Sequence, residues 1–80
     1  MAKKRVHLTF PEKLVQEPII YNLSKQFDIV TNIRRANVED NFGWVILELD
    51  GDEQALDRGL KYLEEQGVQV NTIAGDVVEG

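Results

Sequence analysis

Apolar and polar residues alternate strictly near the start of the chain. In Arg5-Val6-His7-Leu8-Thr9-Phe10, Val6, Leu8 and Phe10 share one parity, and Arg5, His7 and Thr9 share the other. A period of two predicts a half-buried strand, because successive side chains leave a strand on opposite faces. Pro11, with no N–H to donate, marks its end. The period then changes. Ile19, Ile20, Leu23 and Phe27 recur at helical spacing behind Pro18, whose fixed φ suits a first helical turn. Asn22, Lys25 and Gln26 fall on the wet side of that helix.

Residues 28–39, DIVTNIRRANVE, are rich in β-branched side chains and predict a second strand. Its alternation is poor, since both parities mix apolar and polar residues. A bulge that shifts the parity accounts for this, and so does a strand with two partly covered faces. Gly43 is expected to supply a permissive φ for the following turn. Residues 44–49, WVILEL, then read as a third strand, with Val45, Leu47 and Leu49 inward and Trp44, Ile46 and Glu48 outward. The short loop between the two makes an antiparallel hairpin the expected connection.

The strongest helical pattern follows, over residues 50–67. Leu56, Gly59, Leu60 and Leu63 line one face, Asp50 or Asp52 is placed to cap the start, and Asp50 and Glu53 have capping-box spacing. Gly59 on the apolar face implies a close helix–sheet approach, and Gly67 is a natural C-terminal stop. Residues 68–73, VQVNTI, form the last expected strand, with Val68 and Val70 inward. The chain reads as one domain over residues 1–80, with a core of about 4–73. Residues 74–80, with Val77 and Val78, form a flexible tail or a short edge strand.

The order β-α-β-β-α-β predicts an α+β, ferredoxin-like fold: a four-stranded antiparallel sheet with two helices on one face. The other face should carry His7, Trp44 and Ile46. Water does not call for Trp and Ile side by side, so this face is expected to be covered; RNA, a second copy in a homodimer, and a small acidic effector in a groove at such an interface are the three covers that compete.

Bulk composition narrows the function. No apolar run approaches the length of a bilayer span, so membrane insertion is not expected. The basic opening lacks an apolar segment behind it and is no secretory signal. With no cysteine, disulfides and thiolate metal sites are excluded within these residues, and a cytoplasmic location fits. The net charge of −5 repels phosphate backbones.

That charge bears on the aromatic string Phe42-Gly43-Trp44-Val45, which resembles the third-strand signature of the RNA-recognition motif. Asp40 and Asn41 stand where that motif has a basic residue, and His7 stands where an aromatic is usual on the first strand. A nucleic-acid partner is therefore not expected. Catalysis has little to work with either. The chain holds one histidine, His7, and one serine, Ser24, on separate elements with no orienting partner. The Asp50–Glu53 carboxylates lack the further oxygen ligands of a calcium loop. No enzyme, metal or cofactor is predicted. Arg34 and Arg35 would point to opposite sides of a regular strand.

An ordered set of short matches resembles the NIL domain, a ferredoxin-like, ACT-type regulatory module. The set comprises Leu8–Pro11, Pro18, Leu23, Phe27, Asn32–Ile33, Gly43, Glu48–Gly51, Leu60, Leu63 and Gly67–Val70. The family's Asn-Ile-Leu stands here as Asn32-Ile33-Arg34, departing at the third position. NIL domains end methionine-importing ABC transporter ATPases, where they pair and bind methionine. Others form short proteins in which the domain precedes ferredoxin-type cysteines. The resemblance thus implies a dimeric, non-enzymatic regulatory domain with an amino acid such as methionine as effector, and a ligand site at Asn32, Ile33 and Arg34. The alternative is an interaction or assembly domain with an iron–sulfur or transporter partner and no small ligand.

Overall fold

A computed structural model of the chain describes residues 2–15, 17–39 and 41–73. The elements run β1 (Ala2–Pro11), α1 (Glu12–Val15), α2 (Ile19–Phe27), β2 (Val30–Glu39), β3 (Phe42–Gly51), α3 (Glu53–Gln66) and β4 (Gln69–Thr72). The strands form one sheet in the order β2-β3-β1-β4, and every neighbouring pair is antiparallel. This is the predicted ferredoxin-like arrangement, with one addition. A single helical turn, α1, follows Pro11 directly and sinks Leu14 into the core.

The strict alternation at the start of the chain is what builds the core. Val6, Leu8 and Phe10 of β1 lie on the same face as Val45, Leu47 and Leu49 of β3, and all six are buried. Ile19 and Leu23 of α2 and Leu56 and Leu63 of α3 close over them. Each fully buried aliphatic side chain contributes about 1.5–3 kcal/mol relative to exposure, so this layer dominates stability. Tilted rings of Phe27 and Tyr62, with centroids 5.3 Å apart, join α2 to α3.

The irregular parity of the second strand resolves as a bulge. The β2–β3 register shifts between Ile33 and Arg35, leaving Arg34 as the extra residue. Thr31, Ile33, Ala36 and Val38 face the helical side, opposite Leu49, Leu47, Val45 and Gly43. Val30, Asn32, Arg35, Asn37 and Glu39 face the open side. Arg34 and Arg35 are therefore not an alternating pair on a regular strand, because a bulge sets two residues against one partner.

Three local expectations are corrected. β3 runs on to Gly51, so Asp50 is a strand residue opposite Lys3 and Val30 and takes no part in capping. Asp52 is the N-cap of α3 by backbone conformation alone, without a side-chain cap bond. Gly43 sits inside β3 opposite Phe10 and Val38, and the one glycine with positive φ among the described residues is Gly67, at 100°, which ends α3. Gly59 does mark a close approach, but to α2 and the turn after it rather than to the sheet. A Cβ there would stand 2.6 Å from Ile29 Cδ1 and 2.9 Å from Leu23 Cδ1. Val77 and Val78 lie outside the described residues.

Gly59 gives a direct test of this packing. A Gly59→Val variant should lose about 1–3 kcal/mol in urea unfolding, as overpacked cores do. Gly59→Ala should lose less, because about 1 kcal/mol of helix propensity is recovered. A valine variant as stable as the parent would exclude the close approach.

Candidate functional site

The helices do not cover the whole helical face. α1 and the start of α2 stand apart from the outer half of β2, and a groove of about 210 Å³ opens between them. One wall is Leu14, Val15, Ile19, Ile20 and Tyr21; the other is Ile33, Ala36 and Val38 on β2; Phe10, Gly43 and Val45 contribute the floor. Glu17 is the one charged residue in this lining. The size lies below the roughly 300–1,000 Å³ of pockets for drug-sized ligands, and suits a small molecule with one apolar arm.

Gly43 lies in the groove floor rather than in a turn. A Cβ there would meet Val38 Cα at 3.7 Å and Val15 Cγ2 at 3.8 Å, ordinary contacts that the strand could accommodate. The absent side chain leaves space at the groove floor. Ile33 and Val38, in the β2 wall, are 57% and 67% exposed.

The three ligand residues expected from sequence are split by the strand. Ile33 lines the groove, and Asn32 is on the opposite, open face. Arg34 is the bulge residue, and its charge acts on Glu48, which also belongs to the open face. All three belong to β2, an outer strand of the sheet. Sequence reasoning missed Tyr21, Val38 and Gly43. The available signal was apolar residues at both parities in an edge strand.

The open face does gather His7, Trp44 and Ile46. His7 stacks on Trp44, with ring centroids 5.4 Å apart and 19° between planes. His7 and Ile46 are cross-strand partners. Beside them Arg5 Nη2 donates to Glu48 Oε2 at 3.0 Å. Ser24, the other nucleophile-type residue, donates its hydroxyl to the Ile29 carbonyl at 2.7 Å and serves the end of α2. His7 and Ser24 lie on opposite sides of the sheet. Among the described residues no cluster of three or more His, Cys, Asp or Glu is placed to hold a metal ion. No described helix is long and apolar enough to cross a membrane.

The hydrogen bond from Arg5 lowers the Glu48 carboxyl below its ordinary 4.5; burial opposes the shift, and the charges of Arg5, Arg34 and Lys3 add to it. A lowered folded-state value means that the stabilisation is present above the ordinary value and is lost as pH falls through the folded one. Thermal unfolding from about pH 7 to about pH 3 should show wild type and Glu48→Gln separated at neutral pH and converging in acid. A separation that does not change with pH would contradict the pairing.

Comparison with known proteins places the chain. The NIL domain family model matches residues 4–72. The methionine import ATP-binding protein MetN 2 of Acinetobacter baylyi is 41% identical over 68 residues, covering 80% of this chain and 20% of that protein. The MetN protein of Halalkalibacterium halodurans is 30% identical over 74 residues, 88% of this chain and 22% of its own. The chain thus spans about a fifth of the length of these methionine-import relatives. An uncharacterised Synechocystis protein, ssr2439, is 36% identical over 67 residues, and the match covers 69% of its length. Among solved structures, the C-terminal domain of an ABC transporter ATP-binding protein from Enterococcus faecalis superposes with a TM-score of 0.79 at 22% identity, covering 91% of this chain and 86% of that one. With the family model spanning nearly all of the described fold, the chain belongs to the NIL domain family.

Proposed function

We propose that this domain is a non-catalytic sensor of a small amino acid, methionine or a close analogue, and that it works as a dimer in the cytoplasm to regulate the protein it belongs to or contacts. The observation that carries the reading is the apolar groove beside Ile33, in a chain whose relatives include methionine import ATP-binding proteins. A thioether side chain is unbranched, apolar and flexible, and matches a narrow groove lined by aliphatic residues. The charged head of the amino acid stays at the mouth. There Glu17 offers a carboxylate to an ammonium group, and a head group that reaches round the edge of β2 meets Arg34 and Asn32 beside Ile33. Arg34 stands in place of the family's leucine and gives the site an additional cation for a carboxylate.

A second reading rests on the other surface. The stacked His7–Trp44 pair and Ile46 form an apolar patch at the centre of the open sheet face. A regulatory domain needs an output surface as well as an effector site, and this patch supplies one. If no small ligand binds, the same patch leaves an interaction or assembly domain, with a transporter or iron–sulfur protein as its partner.

An amide NMR titration with L-methionine separates the two. Saturable shifts confined to Asn32–Ala36 and the groove are expected, and Ile33→Asp should weaken them at least about tenfold by placing a charge in the apolar wall. Norleucine, which replaces the sulfur with a methylene, should bind in the same place. An absence of shifts at millimolar methionine would remove methionine as effector and leave the interaction domain.

A further inference from the structure

Glycine inside a strand weakens it, because it loses more freedom on folding than other residues and packs no side chain. It has a structural reason where the backbone needs a positive φ or where a neighbour leaves no room for a Cβ. Gly67 meets the first condition, with φ at 100°. Gly59 meets the second, since a Cβ there would stand 2.6 Å from Ile29 Cδ1. Gly43 meets neither. It lies within β3, and its φ is not positive. A Cβ on it would find Asn37 O at 3.6 Å, Val38 Cα at 3.7 Å and Val15 Cγ2 at 3.8 Å, which are ordinary contact distances. An alanine would fit the protein. A strand glycine without a structural reason marks a place that something else approaches closely.

The surroundings of Gly43 say what that is. It shares its face of β3 with Val45, Leu47 and Leu49, which are buried beneath the helices. Its strand partners are Phe10 on β1 and Val38 on β2. Val15 on one side and Val38 on the other are walls of the groove, and Gly43 is in its lining between them. The space that a Cβ would take at this position therefore belongs to the groove.

We infer that Gly43 is the residue that determines specificity in the groove. By lacking a side chain it sets the depth, so that an unbranched apolar arm as long as methionine's reaches the floor. A Cβ at this position would shorten the groove by about one methyl group and shift its preference to a ligand one methylene shorter. An apolar pocket separates ligands that differ by one methylene by about 10- to 200-fold. That a free amino acid carries the arm rests on the sensor reading above; the depth rests on the groove alone.

The experiment is an amide NMR titration of wild type and Gly43→Ala with L-methionine, L-norleucine and L-norvaline, the last being norleucine shortened by one methylene. Wild type should bind the two longer ligands at least about tenfold more tightly than norvaline. Gly43→Ala should lose at least about tenfold for the longer ligands and stay within about threefold of wild type for norvaline. Its Tm should equal or exceed that of wild type, because alanine costs less backbone entropy and meets no close contact here. A second probe, n-pentanol, has no amino-acid head group, and small apolar molecules enter apolar cavities. At one fixed concentration it should shift the Val15 and Val38 amides of wild type and move them less than about half as far in Gly43→Ala. A Gly43→Ala protein that keeps its affinity for methionine, or loses norvaline by the same factor, overturns the depth assignment and leaves the sensor reading standing. A lower Tm for Gly43→Ala also overturns it, since packing would then require the glycine. If no amino acid shifts wild type, the sensor reading falls and pentanol decides the depth: reduced shifts in the variant support it, and equal shifts overturn it.

Discussion

The antiparallel pairing of β1 with β3 is the constraint on which the rest of this molecule depends. The two strands occupy the centre of the sheet over a ten-residue register, from Ala2 opposite Gly51 to Pro11 opposite Phe42. A slip of one residue would turn Val6, Leu8, Val45, Leu47 and Leu49 from the helices to solvent. Because one face must be buried, the register is set. That in turn fixes which residues reach the other face: Arg5 beside Glu48, and His7 over Trp44. The core and the polar face are two consequences of one alternation.

The two helices then cover the centre of the sheet but leave the outer half of β2 bare. α3 and the end of α2 pack over Leu47 and Leu49, with Gly59 allowing Leu23 and Ile29 to come close. Near the start of α2 the chain turns away, and the groove remains between Tyr21 and Val38. The bulge adds a second consequence. By inserting Arg34 it returns Ala36 and Val38 to the groove face after Ile33, so an apolar wall continues along an outer strand that would otherwise change sides. Groove, bulge and exposed edge are therefore one feature.

The polar side chains on both faces are engaged in structural contacts. The single serine spends its hydroxyl on a backbone carbonyl at the end of α2. The single histidine packs flat on an indole, and the best-placed ion pair joins two strands at the sheet surface. Relatives that import methionine have the same domain as about a fifth of their length.

Much of the fold was legible in the sequence because short-range periodicity reports burial directly. The alternation in β1 and β3, the helical stripe of Ile19, Ile20, Leu23 and Phe27, and the stop at Gly67 all follow from local spacing and backbone preference. The order of elements then leaves few ways to build the sheet. Gly43 and Asp50 misled, since each has turn or capping chemistry but lies within a strand longer than its apolar centre. Ligand residues at Asn32, Ile33 and Arg34 were an expectation from resemblance alone, of which only Ile33 lines the groove, and that segment offered two accounts of its parity. Tertiary structure decided between them, because a bulge is defined by the partner strand: only the register against β3 shows that Arg34 is extra. It also decided that Ile33, Val38, Gly43 and Tyr21 meet around one groove, since a gap between elements depends on how far the helices reach across the sheet, which no local pattern encodes.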